Sequence, residues 1–336
     1  MCGIVGYVGS RQCTEVLIDA LSKLEYRGYD SAGIAVFDNG EIKVAKSKGR
    51  LKDLENKMEK EGTPNGFAGI GHTRWATHGE PSDVNSHPHS GERVTIVHNG
   101  IIENYKPLKE FLLSQGRVFQ SETDTEVVAQ LLDYYYDGNP LETIKKVMHE
   151  LEGSFALGIV FADFKDTVYA VRCESPLIVG VGENESFIAS DVPAILKYTK
   201  DYYLLEYGEI AVLNKSGVTV YDRHLTEIEK ELKTADWDMD AAEKGGYEHF
   251  MLKEIHEQPN AIKTTIAPRI TDGLPNLEEC GITPEILKGF NQIYVVACGT
   301  AMHAGMVGKY VIEKLAKVPV IAVSYTHLRA HETLAN

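Results

Sequence analysis

The chain opens with MCGIVGY at residues 1–7, and removal of the initiator methionine would leave Cys2 as the first residue. Small and β-branched residues alternate over residues 3–9, which is typical of a buried strand. A cysteine at a free N-terminus combines an attacking thiol with an α-amino group, whose ordinary pKa of about 7.7 to 8.0 makes it a nearby base. Cys2 is therefore a candidate N-terminal nucleophile. The alternative is a small apolar residue that opens a strand.

Length and composition restrict the class of protein. A chain of 336 residues predicts two domains. Its net charge of -15, from 49 acidic and 34 basic residues, argues against a phosphate-backbone partner, so we expect no nucleic acid binding. No apolar run reaches the length of a membrane span and no signal-type segment opens the chain, so we expect no membrane association and a cytoplasmic location. The five cysteines include no C-x-x-C pair, which favours reduced thiols.

Hydrophobic periodicity predicts the secondary structure of the first 221 residues. Two apolar runs, 33–37 and 42–45, flank an Asn39-Gly40 turn and indicate a hairpin. Helical spacing is found at residues 14–26, 105–114, 125–136 and 141–151. Further strands are predicted at residues 67–71, 94–97, 155–161, 168–171, 177–181 and 210–213. Strands gathered around a mid-chain helical block predict an α+β domain in which sheet packs on sheet and helices lie outside.

The composition changes after Tyr221. Residues 224–256 are rich in acidic residues and lysine, which predicts a helical connector laid over another surface. Prolines between residues 259 and 284 then interrupt a segment with little regular pattern. An apolar run at 293–298, followed by Gly-Thr and a helical pattern, predicts a strand, a turn and a helix N-terminus that can hold a phosphate. The alternative is a plain βα unit without a ligand.

Four further motifs accompany Cys2 in the first domain. They are RGYD at 27–30, HTRWATHG at 72–79, HNGIIEN at 98–104 and SETDTE at 121–126. Together they resemble the glutaminase domain of the class II, N-terminal-nucleophile (Ntn) amidotransferases. Within that class, HTRWATHG, NGIIEN and ETDTE are similar to the glutamine:fructose-6-phosphate aminotransferase family, which forms glucosamine 6-phosphate. The resemblance covers about residues 2 to 321.

The resemblance implies both a fold and a set of substrates. It implies a four-layer α/β/β/α Ntn hydrolase domain over residues 2–221, a connector over 222–284 and the truncated start of an α/β sugar isomerase (SIS) domain over 285–321. It implies L-glutamine and fructose 6-phosphate as substrates, no cofactor, and a homodimer for the full-length enzyme. Residues 322–336 do not follow the family pattern and are expected to be a foreign tail. The isomerase residues are expected beyond position 336, so this chain by itself is expected to hydrolyse glutamine to glutamate and ammonia.

The matched residues suit the three polar groups of glutamine. The fork of Arg74 suits the carboxylate, and Asp124 suits the ammonium. The Asn99 side-chain NH₂ and the Gly100 backbone N–H can face the oxyanion that forms when the Cys2 thiolate attacks the amide carbon. Taken singly, Arg74 could be a surface ion pair, Asp124 a helix N-cap, and Asn99-Gly100 a simple turn. Their joint occurrence favours the site.

The resemblance also implies a lid and two histidines of the glutamine site. Trp75, Thr77 and His78 lie in a loop-like stretch that the resemblance implies as a lid over glutamine. It also singles out His78 and His87 as residues of the glutamine site. Thr300 is a candidate for binding the sugar phosphate.

Five histidines within residues 72–98 raise the question of a metal site. We expect none, because zinc sites usually show tighter paired spacing or carboxylate and thiolate partners, and the chemistry above needs no metal. An aromatic run at residues 134–136 is assigned to packing rather than to ligand stacking.

Two competing functions share parts of this pattern. A phosphoribosylpyrophosphate or asparagine-type amidotransferase would carry the same glutaminase, but ACGT at residues 297–300 speaks against the synthetase domains of those enzymes. A non-catalytic sugar-phosphate sensor would retain an inactive glutaminase, which the intact candidate residues disfavour. An assay for glutamate release separates the sensor from the enzyme.

Overall fold

The structure is a computed structural model that describes residues 2–76, 79–235, 246–271, 273–278, 281–297 and 299–324. The chain forms two compact units, Met1–Gly245 and Gly246–Asn336. Within the described ranges, no helix is both long and apolar enough to cross a lipid bilayer. The predicted tail lies outside the described residues from position 325 onward.

In the first unit, three of the described helices follow one another in mid-chain, and strands lie before and after them. Its described strands are β1 Gly3–Val8, β2 Ser31–Asp38, β3 Glu41–Lys48, β4 Ala68–Arg74, β5 His89–Ser90, β6 Val94–Ile102, β7 Gly153–Phe161, β8 Val168–Cys173, β9 Ile178–Gly182, β10 Glu185–Ala189, β11 Asp201–Leu204, β12 Ile210–Asn214, β13 Gly217–Tyr221, β14 Glu227–Ile228 and β15 Lys233–Thr234. Its described helices are α1 Cys13–Ser22, α2 Leu51–Glu61, α3 Tyr105–Ser114, α4 Asp124–Tyr135 and α5 Pro140–Glu150.

The described strands of this unit form two antiparallel sheets. The first has the strand order β15-β11-β9-β10-β1-β4-β2-β3, and the second has the order β14-β13-β12-β8-β7-β6-β5. β1 therefore lies inside the first sheet, between β10 and β4, and all six of its residues are buried. An interior strand that is covered on both faces needs apolar or small residues at every position, which is what GIVGYV supplies.

Three apolar clusters show how sheets and helices are layered. One packs the first sheet, through residues such as Val5, against α1 and α2, where Leu17 is fully buried. A second packs the other sheet against α3, α4 and α5. The third lies between the sheets and joins Ile4 and Ile70 to Val97. Ile4 and Val5 enter different clusters because successive side chains of a strand point to opposite faces. The predicted α+β fold with α/β/β/α layers is confirmed.

The predicted hairpin and the four predicted helices are also confirmed. β2 and β3 pair with Asp38 opposite Glu41, so Asn39 and Gly40 form a two-residue turn. Their φ angles are 51° and 92°, and positive φ at both positions matches the twist of the flanking strands. α2, β5, β10, β11 and β13 lay outside the sequence predictions.

The helical connector predicted over residues 224–256 is wrong in its first part. β14 pairs with β13 and β15 pairs with β11, so each sheet of the first unit gains an edge strand in this segment, at Glu227–Ile228 and at Lys233–Thr234. Among the described residues that follow residue 245, a helix begins at Phe250. Charged and sparse apolar residues are equally compatible with an exposed edge strand and an exposed helix, and pairing with an open sheet edge decided between them.

The second unit contains three described helices and two small sheets. The helices are α6 Phe250–Ile266, α7 Pro284–Lys288 and α8 Gly299–Leu315, and the strands are β16 Ile270–Thr271, β17 Leu274–Pro275, β18 Ile293–Ala297 and β19 Val320–Ser324. Pro259 lies inside α6, although the sequence predicted little regular structure from that position. β18 and β19 are parallel and α8 connects them, which confirms the predicted strand and helix. Gly299 and Thr300, which were predicted as the turn, are the first residues of α8.

Candidate active site

Cys2 immediately precedes Gly3, the first residue of the interior strand β1. β1 pairs with β4 so that Gly3 faces Thr73, which brings Cys2 next to Arg74 and Trp75 at the end of β4. The Cys2 Sγ accepts a hydrogen bond from the Trp75 backbone N–H at 3.3 Å and lies 3.5 Å from the Trp75 carbonyl oxygen. The thiol is thus held by the backbone of the segment that carries HTRWATHG.

A narrow cleft opens at this thiol. It is lined by residues from four of the five motif stretches and by His87, namely Cys2, Arg74, Trp75, His87, His98, Gly100, Thr123, Asp124 and Thr125. Six of these were predicted site residues. Asn99, which was also predicted, donates a hydrogen bond from its Nδ2 to the Cys2 carbonyl oxygen. The predicted Thr77 and His78 lie outside the described residues. Thr300 belongs to the second unit, where it is exposed in the first turn of α8.

Burial makes the Cys2 thiol harder to ionise. It raises the pKa of the thiol above its ordinary value, while the Trp75 N–H and the positive charge of Arg74 act in the opposite direction. The nearby carboxylate of Asp30 adds to the rise. A buried thiol of this kind needs a base to remove its proton before it can attack.

Arg74 and Asp124 place opposite charges on the wall of the cleft. Arg74 is 4% exposed and its Nη2 donates to the Gly79 carbonyl oxygen at 3.0 Å, so it is not a surface ion pair. Burial lowers the pKa of Arg74, and the negative charges of Asp30 and Asp124 counteract this. Asp124 is also 4% exposed and accepts the Ile102 N–H on Oδ2 at 2.9 Å.

The alternative role of Asp124 as a helix N-cap is wrong. The N-cap of α4 is Thr123, whose side chain accepts the Glu126 N–H, and Asp124 is the first residue of the helix. Its carboxylate instead joins α4 to the end of β6. A negative charge in the first turn of a helix is also stabilised by the free N–H groups there.

Asn99 and Gly100 lie in β6 rather than in a turn, contrary to the alternative considered for them. Gly100 has φ of 119°, and a Cβ there would lie 1.9 Å from the Ser154 carbonyl oxygen on the paired strand. Only glycine fits this position without displacing the strand. The Asn99 Nδ2 donates to the Cys2 carbonyl oxygen at 3.1 Å and to the Ser190 Oγ at 2.8 Å.

Four buried histidines form the floor behind the cleft. His87 stacks on His72 with ring centroids 4.0 Å apart, and His89 and His98 lie around it. Burial lowers the pKa of His72 to about 3 and lowers the pKa of His87 and His89 far below the ordinary value, so these three rings are neutral. Among the described residues, no group of three acidic, cysteine or histidine side chains is arranged to hold a metal ion.

His87 is part of a closed hydrogen-bond ring. Its Nδ1 accepts the His98 backbone N–H at 3.3 Å, so its Nε2 carries the proton and donates to the Thr125 Oγ1 at 3.2 Å. The Thr125 hydroxyl can then donate to the His98 Nδ1 at 2.9 Å. This ring fixes the first turn of α4 to β6, so His87 supports the wall of the cleft.

Three supporting residues were not assigned a role by the sequence reasoning. The Arg27 Nε donates to the Cys2 carbonyl oxygen at 3.2 Å, and Asp30 accepts the Ala76 backbone N–H and donates its own N–H to the Arg74 carbonyl oxygen. Both belong to the RGYD motif, which was a usable signal. Ser190 had no such signal, because its contacts with β1 and Asn99 depend on the sheet order alone.

Comparison with known proteins finds matches over the part of the chain that carries this cleft. A family model for a glutamine amidotransferase domain matches residues 72–197. The chain is 57% identical over 323 residues to a glutamine–fructose-6-phosphate aminotransferase (isomerizing) of Clostridium acetobutylicum, covering 95% of this chain and 53% of that protein. It is 47% identical over 322 residues to the protein of the same name from Thermus thermophilus, covering 95% and 52%. The chain thus spans about half the length of these curated relatives.

Two solved structures share the fold. One, titled as the allosteric regulatory enzyme of purine biosynthesis, is 26% identical with a TM-score of 0.59 and covers 67% of this chain and 50% of its own. The other is a glutamine phosphoribosylpyrophosphate amidotransferase from B. subtilis, 19% identical with a TM-score of 0.62, covering 99% and 70%. At this identity the second shows likeness of fold alone.

Proposed function

The chain belongs to the glutamine–fructose-6-phosphate aminotransferase family, and we propose that its first unit hydrolyses glutamine at Cys2 through a γ-glutamyl thioester. One observation carries the proposal. The Cys2 Sγ faces a cleft whose walls hold a buried guanidinium, Arg74, and a buried carboxylate, Asp124. These are the two charges that a free amino acid requires at its α-carbon.

Recognition rests on these two charges. The Arg74 guanidinium can bind the α-carboxylate of glutamine in bidentate fashion, and the Asp124 carboxylate can bind the ammonium. With both ends fixed, the side-chain amide is directed toward Cys2. Because Arg74 and Asp124 are buried, each interaction is worth more than an exposed ion pair would be.

The chemistry proceeds in two steps. The Cys2 α-amino group, free once Met1 is removed, takes the thiol proton, and the thiolate attacks the amide carbon. The oxyanion is stabilised by the Asn99 NH₂ and the Gly100 N–H, and the amide nitrogen leaves as ammonia after receiving the proton from the α-amino group. Water then attacks the thioester, so that glutamate is released and the thiol is restored.

Access to the cleft requires movement of the segment that follows β4. The cleft volume of about 20 Å³ is that of roughly one water molecule, which is too small for glutamine. Trp75 is 48% exposed at the rim and packs edge-on against Tyr29, with ring centroids 5.5 Å apart. We infer that Trp75 moves aside to admit glutamine and closes over the thioester, which excludes competing water.

The activity of the whole protein extends this proposal. The name of the curated relatives supports transfer of the amide nitrogen to fructose 6-phosphate, with Thr300 at a helix N-terminus as a candidate phosphate contact in the second unit. Homodimer formation and a cytoplasmic location are proposed with it. The competing sensor function would require a site that no longer hydrolyses glutamine.

Incubation of the purified chain with glutamine and fructose 6-phosphate, with glutamate and amino sugar measured separately, tests these proposals. We expect release of glutamate by the first unit. Cys2→Ala should release no glutamate, whereas Cys13→Ala, which alters a buried thiol of α1, should stay active. A folded wild-type protein with a free Cys2 amine that releases no glutamate would favour the sensor, and formation of amino sugar would support transfer of the amide nitrogen to fructose 6-phosphate.

A further inference from the structure

The carboxamide of Asn99 is held from both sides by groups outside the cleft. On one side, the His72 Nε2 lies 3.1 Å from the Asn99 Oδ1 and 3.0 Å from the His98 carbonyl oxygen. On the other, the Asn99 Nδ2 donates to the Ser190 Oγ at 2.8 Å. His72 is fully buried and Ser190 is 3% exposed, so water does not compete for these bonds.

His72 determines which way the carboxamide is turned. Both atoms close to its Nε2 are oxygens that only accept, so this nitrogen carries the proton. Burial lowers the pKa of His72 to about 3, which keeps the ring in this neutral form at physiological pH. A flipped carboxamide would place its NH₂ against the His72 N–H. The Asn99 oxygen must therefore face His72 and its NH₂ must face Cys2 and Ser190.

Ser190 fixes the same group to the strand that carries the nucleophile. It follows β10 directly, its N–H donates to the Ile4 carbonyl oxygen at 3.0 Å, and its Oγ accepts the Ile4 N–H at 2.7 Å. The Oγ therefore joins the start of β1 in one sheet to Asn99 of β6 in the other. A single hydroxyl sets the spacing between the nucleophile strand and the Asn99 amide.

We propose that Ser190 and His72 are positioning residues that reserve one Asn99 amide proton for the oxyanion. The first Asn99 Nδ2–H keeps its hydrogen bond to the Ser190 Oγ throughout the reaction. The second Nδ2–H, which donates to the Cys2 carbonyl oxygen with an N···O distance of 3.1 Å in the free protein, turns to the oxyanion when the tetrahedral intermediate forms. The Cys2 carbonyl oxygen remains satisfied, because the Arg27 Nε also donates to it at 3.2 Å. This inference rests on the proposed glutaminase function.

The proposal predicts a kinetic signature that differs from simple loss of structure. Loss of Ser190 should weaken oxyanion stabilisation, so kcat should fall while KM for glutamine changes little. Alkylation of Cys2 by iodoacetamide is a displacement of iodide by the thiolate and forms no oxyanion. The alkylation rate should therefore stay unchanged, whereas misplacement of Cys2 itself would slow both reactions.

The experiment compares Ser190→Ala with Ser186→Ala. Ser186 lies on the same β10, is equally buried and makes one comparable hydrogen bond, from its Oγ to the Asn214 carbonyl oxygen at 3.1 Å. We expect Ser190→Ala to lower kcat by at least about tenfold, toward the roughly 10²- to 10³-fold loss of a missing oxyanion donor. Ser186→Ala should keep the wild-type kcat. Mass spectrometry of the Cys2 peptide should give equal alkylation rates for all three proteins.

A double-mutant cycle separates action through Asn99 from a general structural effect. In an Asn99→Ala background, Ser190→Ala should cost no further kcat, because the group it positions is gone. His72→Leu, which removes the donor to the Asn99 Oδ1, should reproduce the Ser190→Ala pattern and keeps the proposal testable if Ser190→Ala does not fold. Any one of three results would overturn the proposal. Ser190→Ala and Ser186→Ala could have equal kcat, or alkylation of Cys2 could be slowed in both Ser190→Ala and His72→Leu. The third such result is that the kcat losses of Ser190→Ala and Asn99→Ala are additive. Absence of glutamate from the wild type and Ser186→Ala would instead refute the proposed function.

Discussion

Replacement of Gly100 by alanine tests how tightly the strand that carries the candidate oxyanion donors must approach its neighbour. Gly100 has φ of 119°, which costs an L-residue about 1 to 3 kcal/mol. The added Cβ would also lie 1.9 Å from the Ser154 carbonyl oxygen and 2.9 Å from the Phe155 Cα. β6 and β7 would have to separate locally by about 1.5 Å to restore ordinary contact.

Gly62→Ala is the matched control. Gly62 has a similar φ of 110°, but a Cβ there would meet no atom within 4 Å. Both variants bear the backbone strain, and only Gly100→Ala loses the local hydrogen bonds of β6 and β7. Two such bonds, whose buried partners would then be unsatisfied, amount to about 2 to 4 kcal/mol. For a unit of this size the melting temperature of Gly100→Ala should lie about 5 to 15 °C below that of Gly62→Ala.

Thermal unfolding and glutamate release, measured on the same preparations, check this prediction. A displacement of the Gly100 N–H by about 1 Å should lower kcat by roughly 10²-fold at a temperature where both variants are folded. Equal melting temperatures would show that the approach of β6 to β7 is less restrictive than the structure indicates. A lowered melting temperature with wild-type kcat would remove the Gly100 N–H from the proposed site.

Three further predictions concern charge and protonation. Asp124→Asn should raise KM for glutamine by about thirtyfold or more, since a buried charge partner of the ammonium is lost, and an unchanged KM would contradict the assignment. A protein shown by mass spectrometry to retain Met1 should release little glutamate, because the Cys2 amine is then an amide. Stability should fall as pH decreases from about 6.5 to 5, because His72, with a pKa of about 3, and His87 stay neutral when folded and bind protons when unfolded. Urea titrations across this range should show a smaller slope for His87→Gln, and a flat wild-type profile would refute it.

Local pattern alone was enough for many elements of the first unit. The Asn39-Gly40 turn requires positive φ at both positions, and the apolar runs beside it are long enough to form strands. The helices α3, α4 and α5 follow the 3.6-residue period of their apolar residues. These features depend on neighbours in the chain, which is why the sequence predicts them. The short strands β14 and β15 have no such period and form only because a sheet edge is available.

The sequence likewise predicted the chemistry proposed for the site, since the residue types at Cys2, Arg74, Asn99 and Asp124 suit a thiol that attacks the amide of a doubly charged amino acid. Their meeting was decided by the tertiary structure. Pairing of β1 with β4 brings Cys2 to Arg74, while β6 in the other sheet supplies Asn99. The bonds from Ser190 to Ile4 and Asn99 span 186 and 91 positions of the chain. Contacts of that separation are set by strand order and by burial away from water, and no local pattern encodes them.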